Sequence, residues 1–305
     1  MIRISFFLLM VTLSSPCYGA RIFSEVNGTR DSDNASTLEL LAGYRQTLVT
    51  VGNSEFEMAG GDRTYFEPGE RERFSVGRLE LRSDQNRSWQ LKVRTDFLHG
   101  DNWSPLLPAA FFSSQPNDSW SVELSVEREV VDSVSAIQQR LHLDSYALSA
   151  DYRINSSWTV VGAAIYQRFS DGNNKQGGIG RIIYSLQQLP NFNLQLKGRL
   201  IQSDRDSIDY FSPRTLREGF LLLGYAAPFA DDNWVIKLLG GPGIQKIDPF
   251  FEESQTKVAF LGELALHGWF NDSWQLVAKL GCTSANETRD AYQYWFTTMH
   301  LGYVW

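Results

Sequence analysis

The chain reads as an all-β protein, a transmembrane antiparallel β-barrel of about sixteen strands with both termini on the periplasmic side. Three observations predict this. Apolar and polar residues alternate one for one over runs of roughly 10–14 residues, longer than the runs usual in soluble sheets. Small polar turn sequences ending in tryptophan recur between the runs, as in "NDSW" at 117–120 and again at 271–274. The C-terminal sequence "TTMHLGYVW" places Met299, Leu301, Tyr303 and Trp305 on one alternating apolar face, which resembles the C-terminal assembly signal of bacterial outer-membrane barrels.

Residues 1–20 are expected to be a cleaved export signal. Arg3 gives a positive start, "ISFFLLMVTL" is too short to cross a bilayer, and "SSPCYGA" supplies small residues around a cut after Gly19 or Ala20. The barrel is then expected over 21–305. After cleavage Cys282 is the sole cysteine, so neither an internal disulfide nor a thiolate metal cluster fits. No cofactor or metal site is predicted. The net charge of −7 argues against a nucleic-acid partner. No later segment reaches eighteen uninterrupted apolar residues, which excludes a transmembrane helix but not strands.

Strands are predicted at 21–28, 38–51, 55–65, 73–84, 88–99, 109–115, 119–130 and 139–154, then at 157–169, 177–189, 192–203, 214–229, 233–247, 256–270, 273–285 and 291–305. Alternation is clearest from Trp89, where Leu91, Val93 and Phe97 oppose Gln90, Lys92, Arg94 and Asp96. The first and third strands are the weakest; if 52–72 were one outer loop, the count would be fourteen. Short turns are expected at "GNSEF" (52–56), "NRSW" (86–89), "NDSW" (117–120), "NSSW" (155–158), "PNFNL" (190–194), "DDNW" (231–234) and "NDSW" (271–274). Longer polar segments alternate with them: "TRDSDNAST", "FEPGERER", "GDNWSPLLP", "SDGNNKQGG", "SDRDSIDYFSP", "DPFFEESQ" and "NETRD". Short turns on one rim and longer loops on the other are the layout of an outer-membrane barrel.

This layout gives the tryptophans a physical role. Trp89, Trp120, Trp158, Trp234 and Trp274 each follow a short turn and are expected at one membrane interface, with Trp269 and Trp305 close to that level. An indole there keeps its ring in apolar surroundings and its N–H among headgroups.

The sequence offers little for catalysis. Of His99, His142, His267 and His300, only "HLDS" at 142–145 brings His, Asp and Ser together, and on a strand Ser145 points away from His142 and Asp144. "GGPG" at 240–243 is expected to mark a kink or make room for a lumenal group. No enzyme activity is expected. The predicted inward faces carry both signs of charge, with Arg94, Asp96, Glu123, Arg181 and Arg199 as candidates to line a path. The mixture implies no strong ion selectivity, and it would equally suit salt bridges across the wall.

The stretch "SIDYFSPRTLREGFLLLGYAAPFADDNWVIKLLGGPGIQKIDPFFEES" resembles part of the C-terminal barrel of the outer-membrane subunit of bacterial cellulose synthase and related exopolysaccharide exporters. The matching residues are a rim motif, Tyr210, Phe211, Ser212 and Pro213, then Trp234 in a turn, then Gly243 and Gln245 late in a strand. The resemblance implies a sixteen-stranded barrel in the bacterial outer membrane that passes a cellulose-like polymer. It further implies contact with outer-membrane lipid, assembly by the barrel assembly machinery through the last strand, and a periplasmic or inner-membrane synthesis complex as partner. The family's exporters carry a periplasmic tetratricopeptide array before the barrel; here strands are expected from residue 21, so a separate partner would have to supply that function. The competing readings are a general diffusion porin, which calls for a folded-in acidic loop, and a structural or adhesion barrel acting through its outer loops.

Overall fold

Every strand presents two rows of backbone N–H and C=O groups, and both rows must be paired wherever water is absent. A closed ring satisfies all of them. The computed structural model of the chain describes residues 20–31, 35–48, 54–83, 88–230, 233–283 and 294–305. Its first eight strands are β1 (Arg21–Asp31), β2 (Ser36–Leu48), β3 (Ser54–Glu67), β4 (Glu70–Arg82), β5 (Trp89–Gly100), β6 (Leu106–Asn117), β7 (Trp120–Val130) and β8 (His142–Arg153). The other eight are β9 (Trp158–Phe169), β10 (Asn174–Ser185), β11 (Phe192–Ser203), β12 (Thr215–Phe229), β13 (Trp234–Asp248), β14 (Gln255–Trp269), β15 (Trp274–Thr283) and β16 (Tyr294–Val304). Each pairs antiparallel with its sequence neighbours, and β1 closes the ring on β16 from Arg21↔Val304 to Asp31↔Tyr294. The start of β1 and the end of β16 therefore meet at one rim.

The count is sixteen and not fourteen. β1 pairs along its length with β2 and β16, and β3 with β2 and β4. Most expected boundaries are met within a few residues, with two corrections. "FEPGERER" is not an outer loop: β3 and β4 continue to Glu67 and Glu70 and turn at Pro68–Gly69, where Gly69 takes a φ of 85°. Proline followed by a left-handed glycine is the composition of a tight type II turn. The "PLLP" segment, read as loop, belongs largely to β6, with Pro108 paired to Thr95. The expected signal falls outside the described residues except for Ala20.

One ion pair fixes which face looks inward. Arg78 on β4 lies 3.5 Å from Glu25 on β1. These strands are three spacings apart, about 14 Å along the wall, so their side chains meet only across the concave side. From this anchor the registers sort every strand. The inner alternates are charged or hydroxyl-bearing at most levels, and the outer alternates are Leu, Val, Ile, Phe, Trp and Tyr, many of them exposed, such as Leu79, Leu81, Leu196 and Leu221. An apolar exterior around a polar interior is the reverse of a soluble barrel.

The tryptophan turns have a common construction. Asn117 Oδ1 accepts hydrogen bonds from the backbone N–H of Ser119 (2.9 Å) and Trp120 (3.1 Å). Asn155 does the same for Ser157 and Trp158 at 2.9 and 3.0 Å, and Asn271 for Ser273 and Trp274 at 2.9 and 3.0 Å. A side-chain carbonyl thus replaces a backbone acceptor at the start of each strand. Asn86 of "NRSW", residues 52–53 of "GNSEF" and residues 231–232 of "DDNW" fall outside the described residues. Each following tryptophan points outward. Trp120, Trp158 and Trp274 pack on Tyr152, Tyr184 and Tyr303 of the neighbouring strand, with ring centroids 4.5, 4.6 and 4.9 Å apart. Trp234 packs edge-on against Phe270, and Trp305 stands beside Tyr44 and Tyr303. Trp269 differs from the others: its register with Gln275 places it on the inner face.

Replacing Asn117, Asn155 and Asn271 by Ala should each lower stability by about 1 kcal/mol. The three turns share no partner, so the triple variant should show the sum. Urea unfolding in lipid vesicles checks this, and a triple variant as stable as the parent would contradict the shared construction.

Candidate functional site

Inward-facing charges in a barrel must be neutralised locally or left to water. On β1–β5 they are neutralised. Arg78 donates from Nε to Asp96 Oδ1 (2.8 Å) and from Nη2 to Asp96 Oδ2 (3.0 Å), with Glu39 at 3.4 Å and Glu25 at 3.5 Å. Arg63 pairs with Glu39, and Asp96 lies within 3.6 Å of Arg63 and 3.9 Å of Arg94. Nearer the short-turn rim a second group joins Arg45 to Glu57 at 2.6 Å and Arg82 to Glu57 and Glu80. Arg78, Asp96, Glu39, Glu57 and Glu80 are all buried. The cluster ties five neighbouring strands together and fills this side of the lumen.

The upper part of the same side is closed by apolar packing. The connection between β7 and β8, residues 131–141, folds inward and forms a short helix, α1 (Val134–Gln138). Ser133 caps it, its Oγ accepting from Ala136 N at 3.1 Å. Val134 and Ile137 bury against inward-facing Leu41, Tyr65, Phe74, Val76, Leu98 and Leu107. Each buried aliphatic side chain there contributes roughly 1.5–3 kcal/mol. Glu67 accepts from Val134 N at 2.9 Å, which pins the start of the helix to β3. Neither the helix nor its inward fold was expected. Its only sequence signal is the capping serine before a four-residue apolar–polar pattern, too short to separate from a loop.

A second segment meets it across the mouth. The connection between β11 and β12, residues 204–214, carries the rim motif. Asp209 accepts from Ser133 Oγ through its backbone carbonyl at 2.6 Å and from Gln139 Nε2 through its carboxylate at 2.7 Å. Tyr210 stacks flat on Phe169, with centroids 4.2 Å apart and 2° between planes, and donates its hydroxyl to Asp171 at 2.8 Å. Burial, helped by that acidic partner, pushes the phenol up to about 12, so it remains a neutral donor. The Phe211 carbonyl accepts from Lys175 Nζ at 2.7 Å. Ser212 is buried with its Oγ unpartnered among the described residues, and the Pro213 carbonyl accepts from Ser203 N at 3.2 Å. The four motif residues thus sit at the mouth as expected, with one face of the Tyr210 ring already covered.

On the wall beneath this loop, Arg199 pairs with Glu218, and Gln245 donates to the other Glu218 oxygen at 2.5 Å. Gln245 is fully buried. Gly243 and Gly241 allow this close fit. A Cβ on Gly243 would lie 2.3 Å from the Phe220 ring, and one on Gly241 would lie 2.0 Å from the Leu221 carbonyl oxygen. The "GGPG" segment therefore makes room for the inward Phe220, as expected. A recess of about 300 Å³ lies here among Ile165, Gln167, Lys175, Arg199, Phe211 and Gln245.

Arg94, Asp96, Glu123, Arg181 and Arg199 all fall on inward alternates, but they do not form one site. Arg94 and Asp96 belong to the ion-paired cluster. Glu123 lines a different recess, of about 470 Å³, with Gln90, Lys92, Phe111, Ser113, Ser125 and Ser149. Lys92 sits over the Phe111 ring at 4.0 Å. These hydroxyl and amide groups were missed because serines on a strand carry no pattern beyond polarity. His142, Asp144 and Ser145 do not converge: Asp144 pairs with Arg128 at 2.7 Å on the outer face, and Ser145 lies on the inner one. Among the described residues no group of acidic, His or Cys side chains has the arrangement of a metal site.

Replacing Arg78 with Met should destabilise the barrel by about 3–5 kcal/mol, because buried Asp96 and Glu39 lose their partner. Urea unfolding in vesicles should show it, with the partly exposed outer-face variant Arg128→Met as a control that loses far less.

No family model and no curated protein matches the chain. Solved structures do. The chain is similar in fold to a bacterial polysaccharide outer membrane secretin, at a TM-score of 0.68 and 13% identity over 93% of this chain and 98% of that one. It is also similar to OprD from Pseudomonas aeruginosa, at a TM-score of 0.50 and 9% identity over 94% and 95% of the two chains.

Proposed function

We propose that the chain is a pore of the bacterial outer membrane that exports an exopolysaccharide. The observation that carries this reading is a closed sixteen-stranded ring, apolar outside and polar inside, with recesses of hydroxyl, amide and charged groups along the inner wall. The interior contacts suit sugar hydroxyls, and the exterior suits lipid acyl chains. The fold likeness to a polysaccharide secretin, nearly full length on both sides, supports the same reading. In it the short-turn rim faces the periplasm, Trp89, Trp120, Trp158, Trp234, Trp274 and Trp305 anchor that rim in the interface, and the last strand is read by the barrel assembly machinery. A polysaccharide synthesis complex would meet the short-turn mouth. Arg94 and Asp96 then brace the wall, whereas Glu123, Arg181 and Arg199 line the path.

A general diffusion porin is the second reading, and one observation favours it. Residues 131–141 fold into the lumen, the constriction that this reading requires. Asp132 is the only acidic residue in that segment, so it is not the acidic loop expected of a porin.

Planar-bilayer recordings of the refolded protein test the pore. The parent should conduct weakly and the double variant Val134→Asp, Ile137→Asp, which unseats α1, should conduct about twofold more or better. If both are silent, the transport reading fails.

A further inference from the structure

The inner wall separates the two signs of charge by strand. Glu123, Glu127 and Asp151 stand on β7 and β8, and Arg181, Lys197 and Arg199 stand on β10 and β11. Arg181 and Lys197 are directly opposite each other in the ladder. Like charges in that relation destabilise a sheet. Neither has an ion-pair partner among the described residues, and the nearby carboxylates are engaged: Glu218 by Arg199 and Gln245, Glu263 by Lys279 at 3.0 Å. Lys237, exposed on the inner face of β13, adds an unpaired cation nearer the short-turn rim. Lys175 continues the line towards the mouth, where its ammonium meets the Phe211 carbonyl. The rest of the wall shows what neutralisation looks like, since on β1–β5 each buried arginine has its carboxylate. On β10–β11 the carboxylates are missing.

We infer that this basic line binds anionic groups on the transported polymer, the Arg181–Lys197 pair being its centre. The inference rests on the pore reading and changes the cargo it implies, from a neutral cellulose-like chain to one bearing carboxylate, sulfate or phosphate substituents. An arginine fork matches such groups in two parallel hydrogen bonds, and a neighbouring ammonium adds a point charge. The acidic strip on β7–β8 acts in the same direction, because the field between the strips holds an anionic chain against β10–β11. Serial weak sites let a chain advance by exchanging one substituent for the next.

The test is titration calorimetry of the full refolded barrel in detergent at low salt. The probes are an oligogalacturonate hexamer, galacturonate monomer, inorganic phosphate, neutral cellohexaose and a cationic chitosan hexamer. The acidic hexamer should bind most tightly, weaken with salt, and lose about tenfold or more in affinity in Arg181→Gln, Lys197→Gln. Glu123→Gln on the opposite wall should not weaken it. Equal binding of cellohexaose, or an unchanged affinity in the double variant, overturns the inference. Preference for the chitosan hexamer also overturns it and moves the site to β7–β8. Removing a like-charge pair should not impair folding, which heat-modifiable migration on gels checks; Lys237→Gln, away from that pair, supplies a second variant with the same expected direction. Conductance separates the two claims. A barrel that binds the acidic hexamer but never conducts keeps the anion site and loses the pore, and one that conducts without discriminating keeps the pore and loses the site.

Discussion

The ladder between β1 and β16 is the constraint on which the rest depends. It removes the last free sheet edge, so every strand has neighbours on both sides. Closure also commits each strand to one inner and one outer face, because a shift of one residue would exchange them all. With Leu, Val and Phe outside, the charged residues have nowhere to go but inward. The arginine–carboxylate cluster on β1–β5 follows from that confinement. So does α1, which covers the stretch where the inner face turns apolar at Tyr65, Phe74 and Leu98.

The resulting lumen is asymmetric in chemistry. One side is cross-linked by ion pairs and capped by α1, and another carries recesses lined by Ser, Gln and Glu. A third carries cations that the chain does not neutralise. Mixed charge counted along the sequence suggested no selectivity, whereas placement on the ring separates the signs. Which charges become partners depends on strands far apart in sequence: Glu25 and Arg78 meet only because three strand spacings curve inward between them.

Much of the fold was legible because it rests on local rules. Alternation in β5, β7, β11 and β15 gave the strands, and the Asn–X–Ser–Trp turns gave the hairpins. The sequence pattern did not reveal how the asparagines act, nor the tyrosine partners Tyr152, Tyr184 and Tyr303, which are cross-strand neighbours of the tryptophans. The site was less legible. Residues 204–214 read as a solvated rim loop, yet they reach Ser133, Gln139 and Lys175 on other connections and strands. The inward fold of 131–141 depends on a distant apolar surface and has no local signature.

The central claim is that lipid lies outside the ring and water inside it. Spin labels placed singly along β11 at 194–200, in a Cys282→Ser background in liposomes, test this by collision with oxygen and with a water-soluble nickel chelate. Labels at Leu194, Leu196 and Leu200 should favour oxygen, and those at Gln195, Lys197 and Arg199 should favour nickel, alternating residue by residue. Equal nickel access on both faces would contradict the account.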